Sequence, residues 1–179
     1  GAVLVTDGVD LLSKIKEGMA DDSQSSLIFQ LKNGVDYYLS ADGLPESSTG
    51  DIKLTKSIAF LANPGYRPTL YIRKGGFIIK PEVNNIPEIN YFIVENVNVK
   101  EPIVSGGSGG SKTRLLNIGK HDAGTDITID RFEIRNSDII LPSTVLMMND
   151  ASEGMTTINH IRIDNCLVPG INDTKYVTK

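Results

Sequence analysis

Lys120, His121 and Asp122 stand together in one short stretch, with Asp126 close behind. A histidine beside carboxylates is the composition used for general acid–base catalysis, where a proton passes between groups held at a fixed separation. Gly119 and Gly124 bracket the stretch, and a flexible loop fixes no separation. His121 and Asp122 are therefore catalytic candidates set against a plainer reading, a solvated loop. Asp122, Asp126 and Asp130 recur at every fourth position, which raises calcium as the one cofactor to consider. Calcium loops favour ligands at alternate positions around a glycine bend, so the expectation is no cofactor, with Asp122 and Asp126 as the metal candidates. Asp150 and Glu153 form a further carboxylate pair in a polar loop, again more in keeping with solvated side chains.

Arg135 and Arg162 carry a different chemistry. A guanidinium fork matches a carboxylate, so these two arginines and Lys120 are candidates for gripping an acidic sugar, with Arg135 also a catalytic candidate. Each arginine belongs to a repeated segment, and the repeats decide what surrounds it. Ile89-Asn90-Tyr91-Phe92-Ile93-Val94-Glu95-Asn96, Ile129-Asp130-Arg131-Phe132-Glu133-Ile134-Arg135-Asn136 and Ile158-Asn159-His160-Ile161-Arg162-Ile163-Asp164-Asn165 share one pattern of apolar positions ending in Asn. Superposed, they stack Glu95, Arg135 and Asp164 in one outward column, and Ile93, Glu133 and Arg162 in the next. An acid–base–acid column supports itself, at roughly 0.2–1 kcal/mol per pair. The preferred reading is thus a charged ladder, and the alternative is a uronate grip. His160 takes the position of Tyr91 and Arg131 and reads as an exposed side chain.

A repeat at roughly 30–40 residues signals a stacked architecture, in which each unit buries its apolar edge against its neighbours. Period-two alternation marks strands, and the two-residue gap after the first apolar position resets the phase, as a corner between two short strands does. Asn tolerates the left-handed backbone of such a corner. Asn96, Asn136 and Asn165 are accordingly predicted to form one internal ladder of stacked amides. The expected fold is an all-β parallel β-helix of about five coils.

Ahead of the coils, residues 6–20 read as an amphipathic helix capped by Thr6 or Asp7, with Leu11, Leu12, Ile15 and Met19 on one face. Such a helix covers the first open end of the stack. The coils run from 27 to 168, and the whole chain, 1–179, reads as a single β-helix domain. Between the repeats lie the runs Gly106–Ser111, Gly119–Gly124 and Asn149–Gly154. The first is flexible by composition, and insertions of this kind are where function concentrates in repeat folds. Nothing like a second cap follows Val168. The domain is therefore expected to be the N-terminal part of a longer β-helix, or to self-associate, through an apolar end around Ile161, Ile163 and Leu167.

Bulk properties narrow the partners. The chain has a formal net charge of -4, which argues against nucleic acid and anionic membrane and means that an acidic glycan needs a local basic patch. With no Trp and 6% aromatic residues, sugar stacking would fall to Tyr. One cysteine, Cys166, excludes an internal disulfide and reads as a packed thiol. No apolar run approaches a membrane span.

The helix, followed by Leu27-Ile28-Phe29-Gln30-Leu31-Lys32-Asn33-Gly34-Val35-Asp36-Tyr37 and Lys56-Ser57-Ile58-Ala59-Phe60-Leu61, resembles the opening of the pectate-lyase and pectin-esterase superfamily. The later Asn-bearing repeats resemble its coils. The resemblance implies a right hand for the β-helix. It is strongest to β-helix domains of secreted or surface proteins of Bacteroidetes with no assigned activity, so an extracellular or cell-surface location is expected, with a signal or anchor ahead of Ala2. The superfamily's catalytic signatures do not occur as a set: there is no Asn-Thr-Asp, Gly-His-Gly or Arg-Ile-Lys, the one Asp-Asp pair, Asp21-Asp22, lies in the polar stretch after the helix, and there is no pectin-esterase Gly-x-x-Asp-Phe-Ile-Phe-Gly and no Arg-x-Pro-x-x-Arg. Sites, not folds, confer chemistry. The functional expectation is a polysaccharide-interacting module without catalysis in this stretch. A polysaccharide lyase or glycoside hydrolase, and a structural spacer, are the alternatives.

Overall fold

The computed structural model describes residues 1–105, 107–119, 125–148 and 154–168. The chain is mostly β. In order it forms β1 (Val3–Val5), α1 (Leu11–Ala20), β2 (Ser26–Leu31), β3 (Asp36–Tyr38), β4 (Gly50–Lys53), β5 (Lys56–Ala62), β6 (Thr69–Tyr71) and β7 (Gly75–Ile79). These are followed by β8 (Glu88–Glu95), β9 (Asn98–Lys100), β10 (Leu116–Ile118), β11 (Ile127–Arg135), β12 (Ile139–Ile140), β13 (Leu146–Met148) and β14 (Thr156–Asp164).

Three parallel sheets result. The first runs β1-β2-β5-β8-β11-β14, the second β3-β6-β9-β12 and the third β4-β7-β10-β13. After β2 the chain visits first, second and third sheet in the same sequence, and each visit adds a strand beside the previous one. The apolar residues inside follow from that register. Phe29, Phe60, Val94, Ile134 and Ile163 share one row of the first sheet, and Leu27, Ile58, Phe92, Phe132 and Ile161 share another. Phe29, Phe60, Phe77, Phe92 and Phe132 make a continuous run of ring contacts, with successive centroids 5.9, 5.4, 5.5 and 5.7 Å apart. All five rings are buried in one core cluster.

Two local features differ from the sequence reading. The helix begins at Leu11, not at residue 6: the Asp7 carboxylate accepts the Val9 N–H in a turn, and the cap residue Asp10 makes no side-chain capping bond. Leu11, Leu12 and Ile15 are buried and Met19 packs on the core, as the apolar face requires. The phase reset in the repeats is not a corner between two strands. β8 is a single strand whose pairing with β5 shifts between Lys56 and Ile58, leaving Asn90 and Tyr91 consecutively outward. The buried Ser57 hydroxyl accepts both of their N–H groups, at 2.8 and 3.2 Å, so the interrupted ladder leaves no buried donor orphaned there.

The true corner comes after the repeat. Asn96, Asn136 and Asn165 hold φ of 57°, 49° and 50°, a region only Asn, Asp and Gly visit without penalty. The Asn165 amide donates to Asn136 Oδ1 at 2.9 Å, and the Asn96 amide donates to the Ala62 carbonyl at 3.0 Å. Asn96 and Asn136 are half-buried, while Asn165 is exposed. At the far edge of the first sheet, Ile161, Ile163 and Leu167 are 53%, 46% and 56% exposed. Among the described residues no helix is long and apolar enough to cross a membrane.

Candidate functional site

The sequence candidates fall into three groups. Lys120, His121 and Asp122, with Asp150 and Glu153, lie outside the described residues. Asp126 is exposed, and its carboxylate accepts the Met155 N–H at 2.7 Å. Asp130 accepts the Asn159 amide at 2.9 Å. Among the described residues no three His, Cys, Asp or Glu side chains come together as a metal site would need. Cys166 is half-buried, with Sγ 3.0 Å from the Asp164 carbonyl and 3.3 Å from that of Ile134.

Arg135 and Arg162 lie on the outer surface of the first sheet. The register sets Glu95 beside Arg135 and Arg135 beside Asp164, and sets Ile93, Glu133 and Arg162 in the adjoining column. Arg135 Nη2 donates to Glu95 Oε2 at 2.9 Å. Its Nε lies 3.3 Å from Glu133 Oε2, close enough for charge balance, although Nε makes no well-directed hydrogen bond. Arg162 turns along its own strand to Asp164, at 2.8 Å, so the ladder ends one step short of the expected acid–base–acid column. Glu133 is 8% exposed, between Arg135 and Arg131 (3.8 Å), and the Arg131 guanidinium sits 5.5 Å from the Tyr91 ring centre. Every arginine on this surface already faces an acid of its own chain, which leaves little charge for an external carboxylate.

A second region has the opposite character. Where the second sheet passes into the third, residues Tyr38, Ser40, Pro45, Tyr71, Arg73 and Pro102 line an open depression of about 140 Å³. Tyr38 and Tyr71 are register partners in β3 and β6, and their rings stack at 4.8 Å with planes 9° apart. Lys100 takes the next position of the same outward row. Burial pushes both phenols up, and the Asp36 charge adds to it, so both hydroxyls stay protonated hydrogen-bond donors through neutral pH.

The loop on one side of the depression is tied by Asp42. Its carboxylate accepts Ser47 Oγ at 2.7 Å, the Leu44 N–H at 3.1 Å and Ser40 Oγ at 3.2 Å, and these bonds, Ser47's first, hold the carboxyl below the usual aspartate range. On the other side Glu101 accepts from Ser108 Oγ at 2.8 Å, from the Gly109 N–H and from Thr113 Oγ1 at 3.1 Å. The Gly-Ser run, flexible by composition, is thus anchored at its described residues by one carboxylate.

Arg73 joins the two loops. Nη1 donates to the Glu46 carbonyl at 2.8 Å and Nη2 to the Gly107 carbonyl at 3.1 Å. The residue is 5% exposed, and its Nε has no hydrogen-bond partner. Lys74 beside it is held at φ 51°, an unfavourable conformation for a lysine, by the Thr113 hydroxyl on its N–H and by the Ser48 hydroxyl on its carbonyl. Gly75 and Gly76 follow at φ 155° and 154°; a Cβ on Gly76 would stand 1.9 Å from the Arg114 carbonyl oxygen.

Tyr38, Tyr71 and Arg73 are absent from the sequence candidates. A signal for the tyrosines exists: Tyr37-Tyr38 and Leu70-Tyr71 each place an outward Tyr after an inward apolar residue, at the spacing of the repeats. For Arg73 there is none, because its partners are main-chain carbonyls of two distant loops. No protein-family model matches the chain, and no curated protein matches it.

Proposed function

We propose that the three parallel sheets are the faces of one right-handed parallel β-helix of about five coils, closed at its start by α1, and that the protein is a secreted or cell-surface module that binds polysaccharide. The repeated order of sheet visits supports the solenoid. Its right hand agrees with the strong preference of parallel crossover connections for that hand, and with the resemblance to the pectate-lyase superfamily.

The observation that carries the functional reading is the Tyr38–Tyr71 depression. Pockets that enclose a small molecule run to about 300–1,000 Å³. At about 140 Å³ and open to solvent, this one cannot swallow a ligand. It suits a chain that lies along the surface across its mouth. Two parallel phenols offer ring edges and paired hydroxyl donors, the mixed apolar and polar surface that sugar rings require. Asp42 in the loop is engaged by three donors and is not free for acid–base work. Binding, not cleavage, is what the depression supports.

The test is affinity electrophoresis through gels containing neutral or acidic polysaccharides, with Tyr38→Ala and Tyr71→Ala alongside. Retardation by at least one polysaccharide, weakened about tenfold by Tyr71→Ala (a loss of 1.4 kcal/mol), is expected. Unretarded migration in every gel would overturn the reading.

A further inference from the structure

The depression holds a positive charge that the protein itself does not neutralise. A guanidinium has five N–H donors and cannot shed its proton. At Arg73 two of those donors meet carbonyl oxygens, and Nε meets nothing. Carbonyls satisfy hydrogen bonds but carry no formal charge, and among the described residues no carboxylate forms an ion pair with Arg73. Glu101 is engaged by Ser108, Gly109 and Thr113, and Asp42 by Ser40, Leu44 and Ser47, while the Asp36 charge acts on the two tyrosines.

An arginine buried to 5% exposure without an anion is a costly arrangement, since removing a cation from water costs several kcal/mol unless a partner charge repays it. On the outer surface of the first sheet the same chain gives Arg135 and Arg162 their acids. At Arg73 it does not, and it adds the left-handed Lys74 and places Lys100 next to Tyr71 in the row. A strained main chain beside an uncompensated charge in a concave site is the combination found where a ligand completes the structure.

We propose that the Arg73 depression is an anion site, and that the missing partner is an oxyanion, a carboxylate or a sulfate ester, carried by the ligand. The Nε edge of the guanidinium is the edge that forks onto two oxygens of such a group. Tyr38 and Tyr71, both protonated at neutral pH, line the same depression and add hydroxyl donors to it. The glycan reading enters only through what carries the anion. The oxyanion itself is inferred from Arg73 and its surroundings.

The experiment follows the arginine side-chain Nε–H resonances of the ¹⁵N-labelled protein during titration with sodium galacturonate, galactose 6-sulfate or galactose, each at constant ionic strength set with chloride. A saturable shift of the Arg73 Nε–H with one or both anionic sugars, and none with galactose, is expected. The anion that saturates at the lower concentration identifies the group. Arg73→Lys keeps the charge but loses the fork, and should weaken the response of neighbouring amides such as Thr49 at least tenfold. Arg135→Lys should leave it unchanged. The wild-type resonance alone decides the matter if the Arg73 variant does not fold. No saturable shift with either anion, or an equal response to galactose, would overturn the proposal. Failure of the glycan reading looks different: galacturonate or the sulfate ester would still saturate Arg73 while no polysaccharide retards the protein. Conversely, retention by neutral polysaccharide with a silent Arg73 would remove the anion site and leave the glycan reading intact.

Discussion

Arg135 and Arg73 are both largely shielded arginines on the outside of a parallel sheet stack, yet their surroundings differ in kind. Around Arg135 the sheet register delivers two carboxylates, Glu95 at 2.9 Å and Glu133 at 3.3 Å, and the neighbouring Arg131 and Arg162 have acids as well. Around Arg73 two loops deliver only carbonyls. A strand ladder places side chains of neighbouring strands in direct contact, so charges along it can balance one another without any partner. A loop crossing has no such register, and the charge it encloses remains available. On the proposed reading the self-neutralised surface is structural and the depression is where a ligand has something to do.

The comparison assumes that both regions rest on one core. Removing a ring from the continuous phenylalanine run is the largest perturbation available: Phe60→Ala should cost about 3–5 kcal/mol in urea unfolding, because the ring is fully buried and its neighbours relax only partly. Both regions should be lost in one transition. Separate midpoints for probes beside Tyr71 and beside Arg135 would break the comparison, by showing two independently stable parts.

Next in size is the corner under the charged columns. Asn136→Ala loses the residue type that tolerates φ 49° and removes the oxygen that receives the Asn165 amide. The expected cost is about 1–2 kcal/mol, the scale of the left-handed penalty for an ordinary residue. Asn136→Gly keeps the backbone freedom and loses only the amide contact, so it should cost less. If the two variants cost the same, the amide contact rather than the backbone conformation dominates at the corner. Neither change should disturb the Arg73 Nε–H signal.

How much of this was legible in the sequence follows from the same distinction. The three repeats could be superposed by eye, and the register of β8, β11 and β14 is that superposition, because period-two alternation of Phe92, Val94, Phe132, Ile134, Ile161 and Ile163 fixes which residues share a row. The phase reset at Asn90–Tyr91 was visible, but its cause was not. That cause is Ser57 on the neighbouring strand β5, whose hydroxyl fills the gap in the ladder. The helix start is not legible, because Asp7 has the composition of a cap and instead closes a local turn on Val9. Arg135 and Arg162 stood out because rows are readable. That Arg162 would choose Asp164 on its own strand was not, since two acids lay within reach. Arg73 was illegible, because what makes it unusual is the absence of an acid in three dimensions, and carbonyls carry no sequence signature.

A smaller effect tests the self-neutralised side directly. Arg135→Ala should cost under about 1 kcal/mol, as partly exposed ion pairs do, with Arg131 left to face the buried Glu133. Arg162→Ala, at a more exposed pair, should be smaller still. A double-mutant cycle of Arg135 with Glu95 isolates the pair from the rest of the surface. A cost well above 2 kcal/mol for Arg135→Ala would mean that Glu133 depends on Arg135 for its burial, and the surface would then be more than a solvated ladder.

The smallest effect lies in the loop that helps enclose the depression. Asp42 is held ionised by Ser47, Leu44 and Ser40, so its carboxyl titrates below the ordinary aspartate value of about 3.9. A depressed folded-state value means that protons bind the unfolded loop more readily than the folded one. The stabilisation it contributes is therefore complete above the ordinary aspartate value and is lost as pH falls through the lower, folded one. Because this carboxylate is exposed, the change should appear in the loop before it appears in global stability. The Leu44 amide resonance, whose N–H donates to Asp42, is the reporter: its pH midpoint should lie below the ordinary aspartate value, and Ser47→Ala, which deletes the strongest of the three bonds, should raise it. Binding at Tyr38 and Tyr71 should weaken over the same window. A Leu44 midpoint at the ordinary value, unmoved by Ser47→Ala, would show that Asp42 does not order the loop, and the rim of the depression would then need another support.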